Sequence, residues 1–103
     1  MTQAHPIDLE LWPRREHFNH YLTQVECKYA ITVEVDVTEM VSALRASSWK
    51  TYVAQIWAIS TVVNRHSKFR MTLDRENLPA TWDVVHPAFT VFNPERETFA
   101  SVW

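Results

Sequence analysis

The densest run of side chains that could bind a ligand or a metal lies between residues 14 and 21, with the sequence RREHFNHY. His17 and His20 are three residues apart, so on a helix two imidazoles could share one metal ion. The pattern is not H-E-x-x-H, and no further ligand follows at a recognisable spacing, so we predict no metal site. Glu16 and His20 are four residues apart, which favours a weak pair on the helix surface.

Arg14 differs from its neighbours because it shares a predicted helix face with apolar residues. Phe18 and Tyr21 follow it at the i+4 and i+7 positions, so they lie on the same face as the guanidinium. A buried guanidinium needs a carboxylate partner, since an unpaired buried charge is strongly destabilising. An arginine whose head group reaches solvent past an apolar surface is the alternative, and periodicity leaves both open. Arg15 is rotated by about 100° from Arg14 and should face solvent.

The other reactive side chains do not form a recognisable catalytic set. His5, His66 and His86 have no serine or cysteine partner at a known spacing, so spacing identifies neither a nucleophile nor a general base. The single cysteine, Cys27, fits a strand or loop position better than a nucleophile. The sequence contains no glycine, which excludes a P-loop, a dinucleotide-binding glycine fingerprint and a G-x-S-x-G nucleophile elbow.

The composition is that of a globular chain without an electrostatic target. The 103 residues fit one domain or part of one, and 47% of them are hydrophobic. Ten basic and twelve acidic residues give a net charge of −2, so we predict neither a nucleic-acid partner nor an acidic membrane partner. A lone cysteine and the absence of a signal peptide favour a cytoplasmic location. No apolar run reaches the ~18 residues that a membrane helix needs.

The elements that must position these residues begin after a loose lead-in, predicted over residues 1–8. A helix is predicted for residues 13–23, because proline suits its first turn. Residues 28–37 alternate between apolar and polar side chains, which predicts a half-buried strand. A short helix is predicted for residues 36–46, which begin with an aspartate followed three residues later by a glutamate, a pattern similar to a capping box.

The second half of the chain is predicted to contain one helix followed by β-structure. Apolar side chains recur at helical spacing over residues 49–66 with few charges, which predicts a central, well-buried helix. Two strand pairs follow, each joined by a polar turn that contains asparagine and proline: residues 69–74 with 80–85, and residues 89–93 with 97–103. These elements predict an α+β (mixed α/β) fold.

Four blocks of sequence, in the right order and at the right spacing, resemble the trimeric chloramphenicol acetyltransferase family. Residues 11–18, LWPRREHF, are similar to the family's W-x-R-[KR]-E-H-F opening. Residues 69–71, FRM, resemble its E-F-R-M hairpin strand, and residues 82–87, WDVVHP, resemble its W-D-S-V-x-P. Residues 89–92 and 97–101, FTVF and ETFAS, resemble F-T-V-F followed by E-T-F-S-S. The resemblance covers nearly the whole chain.

The resemblance implies part of a two-layer α+β sandwich of the coenzyme A-dependent acyltransferase type, with residues 1–103 as the N-terminal part of a single domain. The family's H-H-x-x-x-D-G signature, which carries the catalytic histidine, is absent from the sequence. In a complete enzyme that histidine deprotonates the primary hydroxyl of chloramphenicol, which attacks the thioester of acetyl-coenzyme A directly. The active site lies between the subunits of a homotrimer. We therefore expect the chain to be inactive alone.

The resemblance also implies roles for residues of this chain. Arg14 matches the arginine that pairs with the aspartate of the signature and holds the catalytic loop, so it is a supporting residue, and the chain has no catalytic residue. Tyr21, Tyr29, Thr90 and Phe99 match positions that line the antibiotic pocket, where aromatic rings suit a nitrophenyl group. Core packing is the alternative for Tyr29 and Phe99. Acetyl-coenzyme A is the implied co-substrate, and no metal is implied.

Two rival functions remain open at the level of sequence. One is an acyltransferase that acts on another alcohol or amine. The other is a non-catalytic protein of acyltransferase descent that binds small aromatic molecules or other subunits. An H-H-x-x-x-D-G segment encoded after residue 103 would favour an enzyme. We also expect the isolated chain to fold poorly or to self-associate, because the apolar strands at residues 89–92 and 99–103 would lack neighbours.

Overall fold

The computed structural model describes all 103 residues, Met1 to Trp103. The elements follow one another as β1 Ala4–Pro6, α1 Arg15–Thr23, α2 Thr38–Arg45, α3 Thr51–Arg65, a 3-10 helix Ser67–Arg70, β2 Met71–Leu73, β3 Pro79–Trp82, β4 Phe89–Asn93 and β5 Thr98–Val102. The mixture of helices and antiparallel strands confirms the α+β class. None of the helices combines the length and the apolar content that a membrane crossing requires.

The strands form two separate antiparallel sheets. The first has the order β1-β3-β2, and the second is the β4-β5 hairpin. The middle strand, β3, contains the two buried residues of the chain, Pro79 and Ala80. The expected loose lead-in over residues 1–8 is wrong, because β1 pairs with β3 and places Ala4 opposite Trp82. Three residues ending in proline are too few to show alternation, so sequence periodicity could not reveal this strand.

The hairpin turns are built without glycine, as the composition requires. In the β2-β3 turn, Asp74 Oδ1 accepts the backbone N–H groups of Glu76 at 2.8 Å and Leu78 at 2.9 Å. Asn77 adopts a φ of 60° in this turn, a conformation that asparagine tolerates better than most residues. Asn93 Oδ1 accepts two backbone N–H groups in the β4-β5 turn in the same way. These bonds position both hairpins.

The first two helices occur where the sequence predicts them. Phe18 N–H donates to the carbonyl of Arg14 at 3.0 Å, which makes Arg14 the residue at the start of α1. At the entrance to α2, Asp36 Oδ1 accepts the hydroxyl of Thr38 at 2.6 Å and its backbone N–H at 2.9 Å. These two bonds hold the pKa of Asp36 below its ordinary value of 3.8. The capping box that the sequence suggested for Asp36 and Glu39 does not form, because the cap residue is Val37 and no side chain caps the helix.

Two predictions of burial are wrong, and both concern contacts between distant segments. Helix α3 forms, but it has no buried residue, and Trp57 is 68% exposed. Residues 28–37 form no strand, and all of them are exposed. A strand exists only through hydrogen bonds to a neighbour, and no sheet edge pairs with this segment. The radius of gyration is 18.4 Å, against roughly 13 Å for a compact 100-residue domain, so the chain is open.

Candidate functional site

Arg14 and Tyr21 lie together on a concave surface beside α1, called here the α1 concavity. It has a volume of about 370 Å³ and is lined by Trp12, Arg14, His17, Phe18, Tyr21, Leu22 and Met71. The rings of Trp12 and Phe18 pack with their centroids 5.5 Å apart, which fixes the start of the helix against the preceding turn. The shared face that the spacing predicted for Arg14, Phe18 and Tyr21 is confirmed.

The two adjacent arginines have different surroundings. Arg14 is exposed, and no carboxylate lies within 4.0 Å of it; the ion pairs of the chain are Arg15–Glu10 and Lys28–Glu26. Arg15 Nη1 lies 3.5 Å from Glu10 Oε2, with 43% of the arginine side chain exposed. The guanidinium of Arg14 is therefore free to pair with a carboxylate from outside the chain, whereas that of Arg15 already has a partner.

Thr90 and Phe99 line a second concave surface, the groove between α3 and the β4-β5 hairpin, called here the hairpin groove. Its volume is about 670 Å³, and its lining is mostly apolar. The hydroxyl of Tyr52 on α3 donates to the carbonyl of Thr90 at 3.3 Å, which links the helix to the strand. Phe92 lies opposite Phe99 across the hairpin, with ring centroids 5.0 Å apart. One wall of the groove is therefore aromatic.

Tyr29 lies in neither concave surface. It belongs to the segment without secondary structure, and it is 84% exposed. The structure thus brings Thr90 together with Phe99 in the hairpin groove and Tyr21 together with Arg14 in the α1 concavity. The core packing considered for Tyr29 and Phe99 does not occur in this chain, since both side chains are exposed.

Asn64, near the C-terminal end of α3, is a structural residue that the sequence did not single out. Its side-chain amide donates to the carbonyl of Val85 at 2.9 Å, and Val85 N–H donates back to Asn64 Oδ1 at 2.9 Å. The same Nδ2 also donates to the carbonyl of Ser60 at 3.0 Å. The amide thus fastens residues 83–87, which lead into β4, to α3. No local sequence pattern identifies Asn64, because its partner Val85 lies 21 residues along the chain.

Asp83 holds the N-terminal segment to the first sheet. Gln3 N–H donates to Asp83 Oδ1 at 3.0 Å, and Asp83 N–H donates to the carbonyl of Gln3 at 2.9 Å. The bond from the Gln3 backbone lowers the pKa of Asp83, with help from Val84 N–H and from the charges of His5 and the N-terminus; desolvation opposes the shift. This carboxylate has a positioning role and faces neither concave surface.

Arg70 also contacts Asp83 at this end of the first sheet. Its Nη1 donates to the carbonyl of Asp83, while its Nε is buried without a partner. No group of three or more histidine, cysteine, aspartate or glutamate side chains is arranged to hold a metal ion. The two concave surfaces that contain residues singled out from the sequence are thus largely apolar, and the α1 concavity also contains the guanidinium of Arg14.

Comparisons with known proteins identify the relatives of this chain. The family described as chloramphenicol acetyltransferase matches residues 2–103. The chain is 65% identical over 98 residues to the chloramphenicol acetyltransferase of Streptomyces acrimycini, covering 95% of this chain and 44% of that protein. It is 39% identical over 97 residues to that of Clostridium perfringens, covering 94% of this chain and 44% of the relative. It is 41% identical over 97 residues to chloramphenicol acetyltransferase 2 of Haemophilus influenzae, covering 94% of this chain and 45% of the relative.

The chain spans less than half the length of these curated relatives, 44% of the first and 45% of the third. Within that span, however, the similarity is nearly continuous, because the family match includes all but the first residue. It includes both concave surfaces, the Asn64 contact and all four motif blocks. The chain belongs to the chloramphenicol acetyltransferase family.

Proposed function

We propose that this chain supplies part of the antibiotic site of a chloramphenicol O-acetyltransferase, an antibiotic-resistance enzyme. The proposed reaction transfers an acetyl group from acetyl-coenzyme A to the primary hydroxyl of chloramphenicol. The observation that carries the proposal is the 65% identity, over 95% of this chain, to a protein of that name. Because the chain contains no H-H-x-x-x-D-G segment, the catalytic histidine must come from further polypeptide, and the chain alone should be inactive.

The lining of the two concave surfaces supports an aromatic substrate. Pockets for drug-sized molecules usually have volumes of roughly 300–1,000 Å³ and combine apolar walls with a few polar groups. The hairpin groove, at about 670 Å³, meets both criteria, since Phe99 supplies an aromatic wall and Thr90 a hydroxyl. Tyr21 adds an aromatic ring in the α1 concavity. We propose that Tyr21, Tyr29, Thr90 and Phe99 converge on chloramphenicol only when the rest of the enzyme is present.

Arg14 is proposed as the residue that positions the catalytic loop. Its guanidinium is exposed and has no carboxylate partner in this chain, so it is available to the aspartate of the signature segment. An arginine and a carboxylate can form two parallel hydrogen bonds, which fix orientation as well as distance. In the proposed enzyme, Arg14 thus acts on the catalytic histidine through the aspartate. The homotrimer and the cytoplasmic location are part of the same proposal.

The exposed apolar surface favours a second candidate, a protein that binds other subunits without catalysis. Large apolar side chains on α1, on α3 and on both hairpins are exposed, and contiguous apolar patches on soluble proteins mark interaction sites. Under this alternative, the chain would bind another subunit, and the complex would not catalyse acetyl transfer.

A thiol-release assay with acetyl-coenzyme A and chloramphenicol tests the proposal. This chain would be assayed alone and then joined to the part of a family member that it does not match. The control joins it to the same part with the signature histidine replaced by alanine. We expect turnover only from the joined protein with an intact histidine. A folded joined protein that acetylates a different alcohol or amine would refute the substrate, and one without any turnover would support the subunit-binding alternative.

A further inference from the structure

The stretch between β3 and β4, residues 83–88 and called here the β3-β4 connection, has no regular secondary structure. It joins two sheets that share no strand, since β3 lies in the first sheet and β4 in the hairpin. Its first residue is fixed to the first sheet by the two bonds between Asp83 and Gln3. The position of β4 relative to α3 therefore depends on what holds the rest of the connection.

Asn64 on α3 holds the middle of the connection through both ends of its side-chain amide. Nδ2 donates to the carbonyl of Val85 and Oδ1 accepts the N–H of the same residue, each at 2.9 Å. The second N–H of the amide donates to the carbonyl of Ser60 at 3.0 Å, which fixes the side chain on the helix. All three bonds are part-buried, so water competes with them less than it does at the surface.

The other hydrogen bond between α3 and this part of the chain is weaker. It joins the Tyr52 hydroxyl to the carbonyl of Thr90 at 3.3 Å, and it is exposed. The directional contacts that hold the hairpin to α3 thus come mainly from the pair of bonds between Asn64 and Val85.

We propose that Asn64 is a positioning residue for the hairpin groove, and that its hold on Val85 sets the affinity of the groove for an aromatic substrate. The inference rests on the proposed function, under which Thr90 and Phe99 contact chloramphenicol. Asn64 lines neither the hairpin groove nor the α1 concavity. It therefore acts on a bound molecule only through the β3-β4 connection.

The backbone between Val85 and the groove can transmit a displacement. Pro87 lies in the connection, and the fixed φ of proline limits how far this stretch can bend to absorb a shift. Each residue of β4 is paired with β5, so the hairpin moves as one unit and Phe99 follows Thr90. A shift of Val85 therefore changes the distance between the hairpin and α3, the two sides of the groove.

Steady-state kinetics of the joined protein, with acetyl-coenzyme A at saturation, test the role of Asn64. A change in the groove weakens the binding of substrate and transition state alike, which raises KM and leaves kcat unchanged. Asn64→Ala should raise the KM for chloramphenicol by about tenfold, with kcat within about twofold of the parent's. Gln55→Ala, at an exposed position on the same helix, is the matched control and should change neither. An unchanged KM, or a kcat that falls as far as KM rises, would overturn the proposal.

Asn64→Asp is the second variant, for use if the alanine variant does not fold. It keeps the volume of the side chain and the oxygen that accepts the Val85 N–H. Its ionised carboxylate cannot donate to the carbonyls of Val85 and Ser60, so the two bonds from Nδ2 are lost. We expect a raised KM and an unchanged kcat in this variant also, and a KM equal to the parent's would count against the proposal.

A measurement without substrate separates this inference from the proposed function. In the joined protein, the nuclear Overhauser effects between the Tyr52 ring and β4 report the distance from α3 to the hairpin, because the Tyr52 hydroxyl contacts Thr90. We expect these effects to weaken in Asn64→Ala and to persist in Gln55→Ala. A parent without turnover would refute the proposed function, whereas unchanged effects in Asn64→Ala would refute the positioning role.

Discussion

Arg14 and Arg15 are adjacent in sequence, yet they should differ greatly in their effect on activity. Under the role proposed for Arg14, Arg14→Ala in a joined protein would leave the signature aspartate unpaired and displace the catalytic loop, and small displacements can lower the rate by ~100-fold. Arg15→Ala removes the pair with Glu10, whose side chains are 43% (Arg15) and 88% (Glu10) exposed, so it should cost about 0–1 kcal/mol of stability. Arg14→Lys should also be impaired, since an ammonium cannot form two parallel bonds.

The comparison requires turnover and thermal stability for Arg14→Ala, Arg14→Lys and Arg15→Ala, all in the joined protein. If both alanine variants lost activity to a similar extent, the role given to Arg14 would be wrong. That role would also be wrong if Arg14→Ala kept the parent's rate. The thermal data separate a displaced loop from a protein that has unfolded.

Asn64 should protect the backbone amide of Val85, in the segment that leads into β4, from hydrogen exchange. Asn64→Ala removes both partners of the Val85 backbone, and because the contact is only part-buried, the loss should not exceed the about 1–3 kcal/mol that a fully buried unpaired group costs. We expect the Val85 amide to exchange with deuterium at least tenfold faster in this variant, as followed by NMR. Gln55→Ala, at an exposed position on the same helix, is the matched control and should leave that rate unchanged. An unchanged rate in Asn64→Ala would show that the amide does not hold the segment.

Asp83 should make the attachment of the N-terminal segment sensitive to acid. Its pKa in the folded chain is lowered from the ordinary value of 3.8, chiefly by the backbone N–H of Gln3. A lowered pKa means that the carboxylate contributes its full stabilisation above pH 3.8 and loses it as pH falls through the folded value. The Gln3 amide resonance should therefore shift with a midpoint below 3.8, and this titration should vanish in Asp83→Asn. A midpoint above that value would contradict the assignment.

At the level of the elements, the β4-β5 turn contains a strained residue that can be relieved. Glu97 has a φ of 49°, in the left-handed region where a side chain with a Cβ is unfavourable. Glu97→Gly should stabilise the hairpin by about 0.5–1 kcal/mol, because glycine adopts this conformation without a steric penalty. Thermal unfolding followed by circular dichroism would show the gain. Glu95→Gly in the same turn is the control, and it should stabilise nothing.

The elements that depend on local sequence were predictable, and those that depend on distant contacts were not. The strand β4, Phe89–Asn93, was predicted with its observed bounds, because its alternation and its turn residues are local features. The strand β1 was missed because only its pairing with β3 defines it. Residues 28–37 were predicted as a strand from their pattern, yet a strand there requires a hydrogen-bonding partner that this chain does not place beside it. The same distinction explains why α3 was recognised as a helix while its burial was not.

In the candidate site, too, features set by local sequence could be predicted, and features set by distant contacts could not. The shared face of Arg14 and Tyr21 could be predicted, since it follows from helical spacing alone. That Thr90 and Phe99 line one groove could not be predicted, because it depends on the register of the hairpin and on the position of α3. The position of Tyr29 relative to both could not be inferred, because the segment that carries it has no neighbour to orient it. The Asn64 contact joins residues 21 positions apart, which no local pattern encodes.

At the scale of the whole molecule, the open shape implies that added polypeptide will cover aromatic surface. Trp49 and Trp57 both line an apolar cavity between α2 and α3, and both are exposed. We expect tryptophan fluorescence to shift to shorter wavelength, and quenching by acrylamide to fall severalfold, when this chain is joined to the rest of a family member. Trp57→Phe should remove part of the shift. An emission spectrum that does not change on joining would mean that this surface stays exposed in the complete enzyme.

The link between the N-terminal segment and Asp83 also has a consequence for the order of folding. Gln3 and Asp83 are 80 residues apart, and contacts between such distant residues form late, because a large loop must close first. During synthesis, β1 leaves the ribosome before its partner β3, so it cannot pair until β3 has followed. The α-helices between them can form as they emerge, since their hydrogen bonds are local. Although β1 is made before these helices, it reaches its final place after them.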